Sequence, residues 1–418
     1  MAVPSPSKAN EFGSAVKISL CMIVKDEESM LPRCLKSVQD LVDEMIVVDT
    51  GSTDRTVEIA QQFGAAVYHH PWKDDFADAR NVSLQYAQGD WILALDADET
   101  LMPDCIPALQ AAIENPHCLA ITLLREEMGA QQNPYSLVCR LFRRHPQSQF
   151  QRPFHETIDD DITALIQQEP HWEVHSLSTP AIAHDGYRPE AIAQRQKSDR
   201  AERIMSRYLK AHPQDAYMCS KLGALYVTQG QHALGLSLLE QGLAAQPEAS
   251  ATHYELHYHL GLAYTATHQI AMAQQHYELA LETELPDLLK LAAYINLAAL
   301  YSDSQNWTQA EALLTYVALI QPDLADSECA AIAHYNLGLV YKAQGNFSAA
   351  ITAYAQAIAL HPNNPEAYQN LGVVYFKQGQ VLESLAAFQE AIVLHTLQGN
   401  TAEAQRLQQT LADMGWQV

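Results

Sequence analysis

The sequence predicts two domains of different class, an α/β domain with a mostly parallel sheet and, after it, an all-α solenoid. In roughly the first 190 residues, short apolar runs rich in β-forming residues alternate with helix-like stretches, which is the pattern of a parallel sheet covered by helices. After about residue 213, small residues, tyrosines and prolines recur at regular intervals, which is typical of stacked helical repeats. The length of 418 residues suits two or three domains.

Four apolar runs are expected to form strands of the α/β domain, at residues 17–24, 44–48, 65–68 and 91–95, with helix-like stretches between them at 27–39, 53–62 and 77–87. Acidic clusters directly follow three of these strands, at residues 25–28, 49–52 and 96–99. Ligands of such sheets bind beyond the carboxyl ends of the strands. We therefore expect the three clusters to meet at one edge of the sheet and to form the site.

Five tyrosines mark the second half, at positions 226, 264, 301, 341 and 375. Each follows a small residue by three positions, and a second small residue lies twelve positions after the first. This pattern resembles the tetratricopeptide repeat, whose small residues let two antiparallel helices pack closely. It predicts five repeats over residues 214–398, with a helical connector at 191–213, a capping helix at 399–418, and a flexible tail at 1–16.

The charge balance excludes one class of function. Against 25 basic residues stand 49 acidic ones, a formal net charge of -24, and such a field repels nucleic acid and anionic lipid. We therefore expect no nucleic-acid partner. A diphosphate substrate would need local chemistry to overcome this repulsion, and a divalent cation is the simplest device.

The cysteine pattern and the apolar runs bear on location. The seven cysteines form no C-x-x-C pair, which argues against a zinc cluster or a disulfide framework and favours a reducing compartment. No apolar run reaches the ~18–20 residues of a membrane span, and the first residues lack the apolar core of a secretion signal. These features predict a cytoplasmic protein without a transmembrane segment, with any membrane association arising through a partner.

The sharpest local motif is Asp96-Ala97-Asp98, which follows the apolar run WILAL. Carboxylate oxygens are the ligands that hard divalent cations prefer, and a bound cation can neutralise a departing diphosphate. Two aspartates two residues apart can divide the work, one contacting a ribose or the metal and the other holding the metal. The motif therefore predicts a site for a metal and a nucleotide.

Four segments in this order carry a family resemblance: ISLCMIVKDEE, IVVDTGSTDRTVEIA, DFADARN and GDWILALDADE. Together they resemble the family 2 glycosyltransferases, inverting enzymes of the A-type nucleotide-sugar fold, over about residues 17–190. The resemblance implies transfer of a hexose-type unit from a nucleoside diphosphate sugar to an acceptor hydroxyl, or less commonly another nucleophile, assisted by Mn²⁺ or Mg²⁺. The donor sugar, the base and the acceptor are left open.

The resemblance also implies roles for particular residues. Asp49 is expected at the nucleotide base, Arg80 at the nucleotide, Asp96 near the ribose and Asp98 on the metal. Asp26 stands where relatives often have asparagine, which leaves its contact open.

Lys25 and Glu27 of the first segment are expected to bind the nucleotide sugar, although Glu27 is alternatively a first-turn helix charge. Two of the other assignments also have a simpler alternative. Asp49 could cap a helix beginning near Thr53, and Arg80 could pair with Asp75 or Asp78 on the surface.

A second cluster follows, with RLFRR at 140–144 and QRPFHETI at 151–158. The members of this family that also carry helical repeats show a similar R-L-F-R element followed by His-Glu, which makes Glu156 the candidate general base. The alternative for Glu156 is a salt bridge to Arg143 or Arg152, and the rival bases are Asp185 and residues 159–161. The arginines at 140, 143 and 144 are expected either to hold acceptor or phosphate or to be structural.

His184, in AIAHDGYRP, is the candidate that completes the metal site, because many A-type enzymes use a histidine from late in the domain. His155 competes for this role. The repeats are expected to offer a concave groove to an extended peptide or a protein partner.

The sequence leaves three other functions as alternatives. A non-catalytic tetratricopeptide scaffold with a relic nucleotide-sugar domain is the alternative, and the intact D-A-D motif argues against it. A processive polysaccharide synthase usually has membrane spans, and a nucleotidyltransferase favours a glycine-rich phosphate loop near the first strand, which KISLCMIVKDEE lacks.

Overall fold

The computed structural model describes residues 16–130, 134–185, 191–320 and 328–416. The predicted tail at 1–16 lies almost wholly outside the described residues. The chain forms two compact units that divide near residue 211, an α/β unit and a helical unit. The predicted fold class is thereby confirmed.

The α/β unit is built on one mixed sheet of eight strands. In chain order they are β1 Ile18–Val24, β2 Glu44–Asp49, β3 Ala66–His69, β4 Trp91–Ala94, β5 Glu99–Leu101, β6 Cys118–Glu127, β7 Tyr135–Arg143 and β8 Glu173–His184. Their spatial order is β3-β2-β1-β4-β7-β6-β8-β5. The first four strands pair in parallel, as expected, and the rest of the sheet includes the antiparallel pairs β4–β7, β6–β7 and β5–β8.

Six helices belong to the described part of this unit, α1 Leu31–Val38, α2 Thr56–Gln62, α3 Phe76–Tyr86, α4 Ile106–Ile113, α5 Asp159–Gln168 and α6 Ala191–Ala211. α1 and α2 begin three or four residues later than predicted. The reason is that residues 25–30 and 50–55 form loops that hydrogen-bond to each other instead of opening the helices.

The strands β1, β2 and β4 of the sheet are buried on both faces. In β1, Leu20 and Met22 lie in one apolar core and Cys21 in the other, because successive side chains of a strand point to opposite faces. Leu35 of α1 packs in the first core and Ile162 of α5 in the second. This double burial explains why the first strands read as continuous apolar runs.

The helix α6 occupies most of the predicted connector and contacts the rest of the α/β unit through two arginines. The Arg200 guanidinium lies 4.4 Å from the centre of the Trp72 ring, an attractive cation–π distance. Arg203 pairs with Asp74 at 2.6 Å. These contacts tie α6 to the segment that leads into α3.

The helical unit contains five described helix pairs and a final single helix. The helices are α7 Ala216–Thr228, α8 His232–Ala244, α9 Ser250–Ala266, α10 Ile270–Leu281, α11 Leu291–Asp303, α12 Trp307–Leu319, α13 Glu328–Ala343, α14 Phe347–Leu360, α15 Pro365–Lys377, α16 Val381–Leu397 and α17 Thr401–Asp413. No helix in the described ranges has the length and apolar character needed to cross a membrane.

The recurring tyrosines join successive helix pairs. The Tyr264 hydroxyl donates to Glu240 of the preceding pair at 2.9 Å, and Tyr301 donates to Glu278 in the same way at 2.7 Å. The small residues allow close packing, since a Cβ on Gly338 would lie 2.4 Å from the Tyr354 ring. The repeated sequence pattern therefore reflects the packing of helices within and between the pairs.

Candidate active site

The site lies at the carboxyl edge of the three neighbouring parallel strands β2, β1 and β4. The predicted acidic clusters follow these strands directly, so the fold gathers them as expected. Their side chains differ in burial and in partners, and these differences indicate what each can do.

The loops after β1 and β2 are held together by hydrogen bonds. The Asp26 N–H donates to Ser52 Oγ at 3.0 Å, and the Thr53 N–H donates to Asp26 Oδ1 at 2.7 Å. The Glu27 N–H donates to Thr56 Oγ1 at 2.7 Å. Asp26 has a positive φ of 55°, a conformation that aspartate tolerates better than most residues. The carboxylate at position 26 thus fixes the shape of this part of the site.

Asp49 closes β2 and holds the loop after it. Its carboxylate accepts hydrogen bonds from the Ser52 N–H at 3.0 Å, the Gly51 N–H at 3.2 Å and His69 Nδ1 at 3.1 Å. Burial acts to raise the pKa of Asp49, but the bonds from Ser52, His69 and Gly51 outweigh it and hold the pKa below its ordinary value. The side chain is only 4% exposed. Most of its surface therefore contacts the loop that it shapes.

Asp96 lies between two buried arginines. Arg80 donates to its Oδ1 and Arg140 to its Oδ2, each at 2.6 Å. Burial acts to raise the pKa of Asp96, but Arg140 and Arg80 outweigh it and hold the pKa far below its usual range. The Asp96 side chain remains about a third exposed (34%), so a fixed carboxylate reaches the cleft.

Arg80 also binds Glu156. Its Nε donates to Glu156 Oε1 at 2.8 Å, while the Arg80 side chain is 1% exposed. The segment that carries Glu156 is fastened to α3, because the Asn81 side chain exchanges two hydrogen bonds with the Phe150 backbone. One buried guanidinium therefore links the aspartate at the end of β4 to the candidate base.

Asp98 faces His184 across the end of the sheet. His184 Nε2 lies 3.4 Å from Asp98 Oδ2, and its Nδ1 lies 2.5 Å from Glu127 Oε2. Burial acts to lower the pKa of His184, but Asp98 and Glu127 outweigh it and raise the pKa to about 9. The Asp98 side chain is 33% exposed and that of His184 18%, so both are open to a ligand.

Two charged residues of this edge, Arg125 and Glu127, were not predicted, and Glu99 was predicted only as a member of the acidic cluster at 96–99. Arg125 Nη1 donates to Glu99 Oε1 at 2.8 Å and pairs with Glu127 Oε1 at the same distance. Arg140 lies 3.3 Å from Glu99. A continuous series of alternating charges thus runs from Glu156 through Arg80, Asp96, Arg140, Glu99, Arg125 and Glu127 to His184 and Asp98. The Arg125-Glu126-Glu127 run, charged within a β-rich segment, was the available signal.

Comparison with known proteins identifies the family. The family described as Glycosyl transferase family 2 matches residues 19–175, and repeat families described as TPR repeat and Tetratricopeptide repeat match residues 338–379 and 366–396. A TPR repeat-containing protein of Synechococcus elongatus is 46% identical over 293 residues, which cover 70% of this chain and 73% of that protein. The chain has a glycosyl transferase family 2 domain in its first half and belongs with the tetratricopeptide repeat-containing proteins. The predicted resemblance is therefore confirmed.

Two further proteins are similar to parts of this family 2 glycosyl transferase. The SPbeta prophage-derived glycosyltransferase SunS of Bacillus subtilis is 28% identical over 227 residues. That match covers 51% of this chain and spans half the length of SunS. Among solved structures, BtubC from P. vanneervenii covers 51% of this chain and 93% of its own, with a TM-score of 0.43 and 19% identity.

The alternatives set for the family 2 residues can now be compared with their actual partners. Glu156 pairs with Arg80, and neither Arg143 nor Arg152 holds it in the described contacts. Asp49 does not cap α2, which begins seven residues later at Thr56.

Several candidates outside the nucleotide motifs have structural partners. Arg143 donates to the Cys118 and Asn115 carbonyls, and Arg144 donates to the Gly89 carbonyl. Asp185 pairs with Arg33. In the acidic run at 159–161, Asp161 accepts from the Gln149 N–H, and Asp160 pairs with Arg152.

The remaining predicted residues lie around the cleft. Lys25 is exposed at the end of β1, Glu27 is partly buried beside it, and His155 is exposed. Within the described residues no group of three or more metal-ligating side chains is present, so Asp98 and His184 form a two-residue set.

Proposed function

We propose that this glycosyltransferase is an inverting, metal-assisted enzyme that moves a hexosyl unit from a nucleoside diphosphate sugar to an acceptor hydroxyl. One observation carries the proposal: the carboxylates of Asp96 and Asp98 emerge at the end of β4, and Arg80 joins Asp96 to Glu156. An inverting displacement needs a donor site and a base on opposite sides of the sugar carbon. The arrangement supplies a candidate for each.

The donor would lie against the loops after β1, β2 and β4. We propose Asp49 for the nucleotide base, Asp96 for the ribose, and the exposed Lys25 with Glu27 for the remainder of the nucleotide sugar. Arg80 would act on the nucleotide through Asp96, because the Arg80 side chain itself is 1% exposed. The preformed hydrogen bonds between the loops reduce the cost of ordering the site on binding.

The residues present fit a divalent cation. One carboxylate oxygen of Asp98 and the imidazole Nε2 of His184 lie 3.4 Å apart, close enough for one ion to contact both at the usual ~2.0–2.2 Å. Mn²⁺ or Mg²⁺ at this position would neutralise charge on the departing diphosphate. The diphosphate oxygens and water would complete the ligand set, which explains why two protein ligands suffice.

Glu156 is proposed as the base that takes the acceptor proton. Its Oε1 is held by Arg80, and its Oε2 has no hydrogen-bond partner among the described residues. The side chain is 10% exposed, so Oε2 can meet a substrate in a mostly desolvated position. Arg80 would keep this oxygen directed at the acceptor.

The repeats are proposed to recruit the acceptor or a partner protein. Residues 212–418 contain 18 acidic and five basic side chains, a balance that favours a basic or neutral partner segment.

The seven cysteines are all free and buried, which supports a cytoplasmic place of action, with any membrane association arising through the partner.

The test is a panel of nucleoside diphosphate sugars, each incubated with the full chain with and without Mn²⁺ and scored for release of the nucleoside diphosphate. Slow hydrolysis of one donor, dependent on the metal, is the expected result and names the donor. If no donor is hydrolysed or bound under any condition, the proposed function is wrong and the scaffold alternative gains support.

A further inference from the structure

Two neighbouring strands fix the backbone of His184. β8 pairs in parallel with β6, which places Glu127 opposite His184, and it pairs in antiparallel with β5, which places Glu99 opposite the same residue. The Met128 N–H also donates to the His184 carbonyl at 2.9 Å. The backbone of His184 is therefore held in place independently of the contacts of its ring.

Glu127 then fixes the ring, and it is itself held in place. Its Oε2 lies 2.5 Å from His184 Nδ1, while its Oε1 accepts from Arg125 Nε at 2.8 Å and from Ser136 Oγ at 2.6 Å. The side chain is 6% exposed. Because both oxygens are engaged in a buried setting, the carboxylate has little freedom to rotate.

Both carboxylates beside the ring can only accept a hydrogen bond, and Glu127 is the nearer one, at 2.5 Å from Nδ1 against 3.4 Å between Asp98 and Nε2, so the neutral ring of His184 carries its proton on Nδ1. The unprotonated nitrogen is then Nε2, the atom that faces Asp98. This is the tautomer that a metal ligand requires, and a carboxylate on the second nitrogen also makes the ligating nitrogen more basic.

We infer that Glu127 is a positioning residue for the metal site, acting through His184. The inference rests on the proposed function, since it assumes that Asp98 and His184 bind the ion. If the charged residues are only a structural cluster, replacing Glu127 will lower the stability of the fold and leave the affinity for metal unchanged.

The test is Glu127→Gln in the full chain, with Mn²⁺ alone as the probe and free Mn²⁺ measured by electron paramagnetic resonance. Glutamine keeps the volume, but its NH₂ can donate to Nδ1 and so stabilise the other tautomer, whose protonated Nε2 cannot bind metal. Loss of such an outer partner typically weakens metal binding roughly 10–100-fold. Glu126→Gln is the matched control, because Glu126 lies on the same strand with its side chain on the opposite face, and its affinity should equal that of the wild type.

Ser136→Ala provides a second route, since it removes one hydrogen bond from Glu127 without changing any charge. It should weaken Mn²⁺ binding less than Glu127→Gln and leave the melting temperature near that of the wild type. Wild-type affinity in a folded Glu127→Gln variant would overturn the inference. Asp98→Asn separates this failure from that of the metal site, because unchanged Mn²⁺ binding in Asp98→Asn would show that the ion binds elsewhere.

Discussion

Arg80 shows how one side chain can serve the donor and acceptor sides of a site together. A buried guanidinium is costly unless it is paired and hydrogen-bonded, and Arg80 offsets part of this cost by pairing with Asp96 and Glu156 through Nε and Nη2. The A-R-N motif indicated that Arg80 belongs to the site. Its partners were not predictable, because they lie 16 and 76 residues away along the chain, and the predicted surface partners Asp75 and Asp78 are not the ones that it uses.

At the same scale, Glu156→Gln tests the base. The amide keeps the shape of the side chain and removes its basicity, so turnover should fall on the order of 10²–10⁴-fold. Affinity for the donor nucleotide, measured by calorimetry, should persist because Glu156 is not expected to touch the diphosphate. The exposed Glu114→Gln is the matched control and should behave as the wild type. Unchanged turnover in Glu156→Gln would remove this residue from the mechanism.

At the scale of elements, the features that could be predicted are those whose sequence pattern lies within one short segment. β1, β2 and β4 are buried on both faces, so their apolar runs stand out, and the acidic residues that follow them could be placed at one edge. The second half of the sheet was not predictable in the same way. Its contacts depend on register across distant segments, such as Glu127 opposite His184 and Leu141 opposite both Leu93 and Ile121. The pairings of Arg125 and Arg140 with Glu99 arise only once that register exists.

A histidine cluster between α9 and α10 makes the helical unit sensitive to acid. His257 is buried, with its Nδ1 2.9 Å from His276 Nδ1 and its Nε2 3.2 Å from His253 Nε2. Burial, together with the smaller effects of the neighbouring His276 and His253, lowers the pKa of His257 to about 4. The ring is thus neutral in the folded state at pH values where the unfolded chain binds a proton.

Because the folded pKa lies below the ordinary 6.5, the stability from a neutral His257 is complete above pH 6.5 and is lost as the pH falls toward 4. The difference corresponds to roughly 3 kcal/mol at most. Denaturant unfolding of the helical unit at several pH values measures this loss, and the slope should be smaller in His257→Gln. Equal slopes in the two proteins would contradict the assigned cause, which is burial of the neutral imidazole.

At the scale of the whole molecule, all the residues proposed for the nucleotide lie before residue 190. A chain truncated after Ala211 should therefore fold and bind the nucleoside diphosphate as tightly as the full chain. Truncation after residue 190 is the comparison, and it should be less stable because it loses the contacts of Arg200 with Trp72 and of Arg203 with Asp74. Calorimetry and thermal melting measure both. A folded protein ending at Ala211 that does not bind nucleotide would show that the repeats form part of the donor site.

The central claim is that donor chemistry occurs at the end of β4 with a cation held by Asp98, and one measurement tests it most directly. Release of the nucleoside diphosphate from the preferred donor is followed in the wild type, in Asp98→Asn and in the exposed control Asp104→Asn, with Mn²⁺ and with chelator. Asp98→Asn removes a carboxylate charge and almost no volume, so the fold should persist. We expect metal-dependent turnover in the wild type and the control, and loss of turnover in Asp98→Asn. Near-normal turnover of Asp98→Asn in the presence of chelator would contradict the account.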